Sequence, residues 1–127
     1  MGKRILIIGE DTEHLISVSD LLTEEGFNVH TSIFEDDIFA DVETIRPHLV
    51  LLDANEKVDY VKLCSEIKQS SGVDVILMSS YIRLPKKVLS ESCALGIVPN
   101  PFNIEDLFEI VDFALKQDFT KTRLRKE

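Results

Sequence analysis

Four short apolar runs each end in polar residues that could share a reaction centre. Gly9-Glu10-Asp11 follows the run at residues 5–8, Asp53 follows 49–52, Ser79 follows 73–78, and Asn100 comes soon after 97–98. Carboxylates drawn from separate segments to one place suit a hard divalent cation such as Mg²⁺, which takes oxygen ligands and keeps waters or a phosphoryl group in its remaining positions. Taken singly, each residue also has a plain reading: a helix-capping aspartate at 53, a serine satisfying backbone groups at 79, and a solvated acid favouring the next helix start at 10. The chemistry therefore depends on elements that bring these residues together.

Such elements are legible. Apolar runs at 5–8, 27–31, 49–52, 73–78 and 97–98 alternate with amphipathic stretches beginning near residues 12, 35, 58, 84 and 103, a pattern of five βα units. The first, third and fourth runs are almost continuous in Ile, Leu and Val, as central strands of a parallel sheet require. The second alternates as Phe27, Asn28, Val29, His30, Thr31, and the fifth ends in Pro99, so both belong at edges. Right-handed crossovers then give the strand order 2-1-3-4-5 of a flavodoxin-like α/β three-layer sandwich. In such a sheet the ligand crevice opens beyond the carboxyl ends of the strands where the order reverses, here between strands one and three, and the polar residues above converge there.

Helix signals agree. The first helix has Asp11 or Thr12 as N-cap, Leu15, Val18 and Leu22 on one stripe, and Gly26 as a stop. The last has Asn103 as N-cap, Glu105 and Asp106 in its first turn, and Leu107, Val111 and Leu115 toward the sheet. Ile110 and Phe113 lie off that stripe, where they either cover a core edge or form a partner or dimer patch.

Bulk properties narrow the function classes. At 127 residues the chain fits one domain, expected over residues 1–117 with 118–127 as a basic tail or an extension of the last helix. The net charge of −9 repels phosphate backbones, so no direct nucleic-acid binding is expected. The apolar runs are too short to span a membrane, and a cytoplasmic protein without membrane partners is expected. Cys64 and Cys93 lack disulfide or zinc spacing and read as small buried residues. Neither GxGxxG nor GxxxxGK[ST] is present, and acids stand where a phosphate loop would lie, which disfavours a nucleotide or flavin enzyme.

The segments Arg4-Ile5-Leu6-Ile7-Ile8-Gly9-Glu10, Leu49-Val50-Leu51-Leu52-Asp53, Val75-Ile76-Leu77-Met78-Ser79 and Asn100-Pro101-Phe102, in this order and spacing, resemble the signature segments of response regulator receiver domains (CheY-like) of two-component signalling. The chain looks like an atypical member. The resemblance implies Asp53 as phosphoacceptor. It implies Mg²⁺ held weakly by Glu10, Asp53 and the backbone carbonyl of Asn55, with Asp11 recruited if the chain bulges there. It also implies phosphoryl hydrogen bonds from Ser79 and Asn100, and a cis bond before Pro101. Three positions depart from the family pattern: Gly9 replaces an acid, Asn100 a lysine, and Ile97 an aromatic switch residue. Net charge is nonetheless kept, since three carboxylates with a lysine and Glu10 plus Asp53 without one both sum to −2.

The function implied is a stand-alone receiver-like domain in a phosphorelay. A histidine kinase or phosphotransfer protein phosphorylates Asp53, and a partner surface on the fourth and fifth helical segments, including Ile97, Ile110 and Phe113, changes in response. Beyond self-catalysed aspartyl phosphorylation and dephosphorylation, no enzymatic activity is implied. The alternative is a pseudo-receiver that binds protein partners through the same face without phosphorylation.

Overall fold

The computed structural model describes residues 2–54, 58–79, 94–99 and 103–126. Chain order runs β1 (Arg4–Gly9), α1 (Thr12–Glu24), β2 (Asn28–Ile33), α2 (Ile38–Ile45), β3 (Leu49–Asp53), α3 (Tyr60–Ser71), β4 (Asp74–Ser79), β5 (Gly96–Pro99) and α4 (Ile104–Lys126). The five strands are parallel in the order β2-β1-β3-β4-β5, as their burial patterns required. The fourth expected helical stretch, from residue 84, lies outside the described residues, as does Cys93. Cys64 is fully buried in the layer beneath α2 and α3.

Strand alternation divides the core into two layers. Ile5, Ile7, Leu49, Leu51, Ile76, Met78 and Val98 face α1 and α4, where Leu15, Val18, Leu22, Leu107, Val111 and Ala114 close over them. Leu6, Ile8, Val50, Leu52, Val75 and Leu77 face α2 and α3, meeting Ile38, Val42, Cys64 and Ile67. The central runs read as continuously apolar because alternate residues serve opposite layers, and both layers are buried.

Aspartates and glycines punctuate the helices. Asp11, Asp37 and Asp59 cap α1, α2 and α3 by accepting backbone N–H groups of the first turn. Asn103 does the same for α4, its Oδ1 lying 2.8 Å from the Glu105 nitrogen. α2 begins at residue 38 and not near 35, because Asp36 folds back on Ile33 through two 3.0 Å hydrogen bonds and makes a turn first. Gly26 (φ 97°) and Gly72 (φ 75°) take left-handed conformations just after α1 and α3.

At the amino edge, His48 ties β3 to β1. Its Nδ1 accepts from the Arg4 N–H at 2.9 Å, and its own N–H donates to the Arg4 carbonyl at 2.8 Å. Burial, followed by the charges of Arg4 and Lys3, lowers the His48 pKa below its ordinary 6.5. A histidine with a depressed folded-state pKa favours folding while neutral, and that contribution is lost as pH falls through the unfolded value toward the folded one. Wild type is therefore expected to lose stability on acidification through pH 6.5, with a shallower loss for His48→Gln, measurable by urea denaturation at a series of pH values.

Candidate functional site

The expected crevice lies at the carboxyl ends of three adjacent strands. β1 closes on Gly9, β3 on Asp53, and β4 on Ser79, with Asp53 in register opposite Met78 and Ser79 one residue further on. A backbone bond from the Ala54 nitrogen to the Met78 carbonyl, 2.7 Å, fixes the chain where it leaves β3.

Asp53 continues the row of Leu49 and Leu51, and Gly9 the row of Ile5 and Ile7, so both belong to the layer beneath α1 and α4. A Cβ built on Gly9 would lie 3.2 Å from the Asp53 Cβ, 3.7 Å from its Oδ2, and 3.0 Å from Leu15 Cδ2. The missing side chain thus leaves the space that Asp53 and Leu15 approach. This glycine was legible only as a lost acid; in the structure it is also a point of close approach.

Asp53 is half-buried, whereas Glu10 and Asp11 are exposed. Burial raises the Asp53 carboxyl above the ordinary aspartate value, electrostatic attraction to His14 pulls it back, and Glu10 and Asp11 push it up again. The carboxylate therefore sits among like charges with one basic neighbour. His14, in the first turn of α1, is a site residue that the sequence reading missed. The available signal was its place three residues after the capping aspartate, where the helix start faces the end of β3.

Asp11 is engaged at the helix start: its Oδ1 accepts from the Glu13 nitrogen at 3.0 Å and the His14 nitrogen at 3.3 Å. It serves as the N-cap of α1 through this one oxygen. Among the described residues, no set of three or more His, Cys, Asp and Glu is arranged to hold a metal ion.

Ser79 is 1% exposed at the end of β4. Asn55, Asn100 and Pro101, and with them the expected carbonyl ligand, phosphoryl donor and cis bond, lie outside the described residues. Of the proposed partner-face residues, Ile97 packs against the α2–α3 layer. Ile110 packs on the α1–α4 layer, with its Cδ1 2.9 Å from where a Gly96 Cβ would be. Ile110 is partly buried at this core edge, and Phe113, at 55% exposure, faces solvent.

No protein-family profile matches the sequence, and no curated protein matches it. Solved structures do. A CheY-like response regulator receiver domain protein from Methanospirillum hungatei JF-1 superposes with a TM-score of 0.84 at 24% identity, over 95% of this chain and 99% of that one. A response regulator from Thermotoga maritima gives a TM-score of 0.80 at 22% identity, over 91% and 99%. NtrX from Brucella abortus gives 0.82 at 22% identity, covering 99% of this chain but 29% of that longer one. No helix among the described residues is long and apolar enough to cross a membrane. With five parallel strands in the order 2-1-3-4-5 and helices on both faces, the chain has the flavodoxin-like fold of response regulator receiver domains.

Proposed function

We propose that this chain acts in two-component signalling, with Asp53 accepting a phosphoryl group from a histidine kinase or phosphotransfer protein. One observation carries the reading: a half-buried carboxylate at the end of the central strand β3, raised in pKa by its surroundings, at the crevice of a receiver fold. In the transfer, an Asp53 carboxylate oxygen attacks phosphorus, the bond from phosphorus to the donor's histidine nitrogen breaks, and an acyl phosphate forms. A raised pKa makes the carboxylate the stronger nucleophile. Ser79 hydrogen-bonds the incoming phosphoryl oxygen, Asn100 donates a second bond, and the change around Ser79 alters a partner surface that includes Phe113.

Mg²⁺ belongs to this proposal as a weakly bound ion, held by Glu10, Asp53 and the carbonyl of Asn55. When bound it would offset negative charge on the transferring group. Because Gly9 stands in place of an acid, millimolar rather than micromolar Mg²⁺ is the expected requirement.

Gly9 favours a second reading, a pseudo-receiver that binds partners without phosphorylation, since the acid it replaces would have served the cation. Incubation with acetyl phosphate and Mg²⁺, followed by intact-mass measurement, separates the two. A single phosphoryl adduct that maps to Asp53 supports the phosphoacceptor; no adduct, under conditions that label an active receiver, leaves the pseudo-receiver.

A further inference from the structure

On the opposite edge of the sheet, away from Asp53, a cavity of about 610 Å³ opens between the carboxyl ends of α2 and α3. Its walls are apolar, formed by Phe39, Val42, Pro47 and Val73, with Glu43 and Arg46 from α2 and Ser70 and Ser71 from α3 completing the lining. That volume lies within the range of small-molecule sites, and a mostly apolar lining with few polar groups is their usual composition.

The conformation of Arg46 singles the place out. α1 and α3 are followed by glycines at positive φ, but α2 ends on Arg46 at φ 51°, ψ 61°. A left-handed conformation is disfavoured for a residue with a side chain, and a following proline restricts it further. The chain keeps it by a clamp: Arg4 Nε donates to the Ile45 carbonyl at 3.1 Å and the Arg46 carbonyl at 3.0 Å. Glycine would be the relaxed choice, so the guanidinium is what the strained position gains.

Polar capacity in the cavity is otherwise largely spent. Ser71 Oγ donates to the Ile67 carbonyl at 2.6 Å and accepts from the Val73 nitrogen at 3.2 Å, and Ser70 Oγ also turns to Ile67, at 3.4 Å. No ion pair among the described residues joins Arg46 to a carboxylate. Glu43, one turn earlier on the same helix, disfavours a second negative group.

From the cavity and its strained cation we infer that this is a binding site for a small amphiphilic monocarboxylate, its apolar body against Phe39, Val42, Pro47 and Val73 and its carboxylate on Arg46. The inference stands apart from the phosphorylation reading, because it uses none of the same residues.

The test is a heteronuclear NMR titration of the full chain with 4-phenylbutyrate, alongside the neutral 4-phenylbutanol and the cationic 4-phenylbutylamine. A ligand of this size is expected to bind with millimolar affinity. Amide shifts should centre on Phe39, Val42, Arg46, Ser70, Ser71 and Val73, with the acid roughly three- to fivefold tighter than the alcohol. Arg46→Gly relaxes the backbone, so its melting temperature should equal or exceed wild type, while the preference for acid over alcohol disappears. Scattered or absent shifts, equal binding of acid and alcohol, tighter binding of the amine, or an acid preference retained by Arg46→Gly would each overturn it.

Discussion

Asp53→Asn is expected to remove all phosphoryl labelling and, in the same protein, to raise thermal stability near neutral pH. Loss of label follows because an amide lacks the anionic oxygen that attacks phosphorus. The gain in stability follows from the environment of the carboxylate, which burial, Glu10 and Asp11 all make less favourable when charged. A carboxyl whose folded-state pKa is raised favours folding only below the unfolded value of 3.8, and its contribution turns unfavourable as pH rises through the folded value. The stability difference between variant and wild type should therefore be largest at neutral pH and shrink on acidification. Thermal melts at several pH values, paired with intact-mass labelling, give both readouts. Opposite effects on stability and labelling mark a residue kept for chemistry at a cost to the fold.

Leu51→Ala should give the largest loss of stability, about 3 kcal/mol, within the 2–5 kcal/mol typical of deleting a buried leucine side chain. Leu51 is fully buried in the middle of β3, in register with Ile7 on β1 and Ile76 on β4, all within the layer beneath α1 and α4. Neighbours on both sides are strand residues held by backbone ladders, so the cavity closes poorly. For a chain of this length the loss corresponds to a melting-temperature decrease of roughly 10 °C. Calorimetric or denaturant unfolding checks it. Although Leu51 shares the row of Asp53, its side chain takes no part in the transfer, so labelling in the folded variant should persist, which separates support of the fold from chemistry at the strand end.

The parts of the molecule governed by local patterning were readable in advance. Runs of Ile, Leu and Val at residues 5–8 and 49–52 demanded coverage on both faces, and that fixed which strands lie at the centre and which at the edges. Asp11 and Asn103 announced their helices because an N-cap is a property of a few consecutive residues. Details that depend on three-dimensional approach were less accessible. Whether Ile110 faces solvent or core is undecided by helical periodicity, since it lies three residues after Leu107 at the border of the buried stripe; the bare backbone of Gly96 supplies the seat. His14 joins the site through the way α1 packs over the end of β3, and Gly9 matters for the approach of Asp53 as much as for the acid it lacks.

Beryllofluoride, which mimics an aspartyl phosphate, tests most directly whether the three strand ends act as one pocket. Titrated with Mg²⁺ and followed by heteronuclear NMR, it should shift the amides of Gly9, Glu10, Asp53, Ala54 and Ser79 together in wild type and leave them unmoved in Asp53→Asn. Absence of those shifts at saturating reagent, or their persistence in the variant, would contradict a phosphoryl site at Asp53.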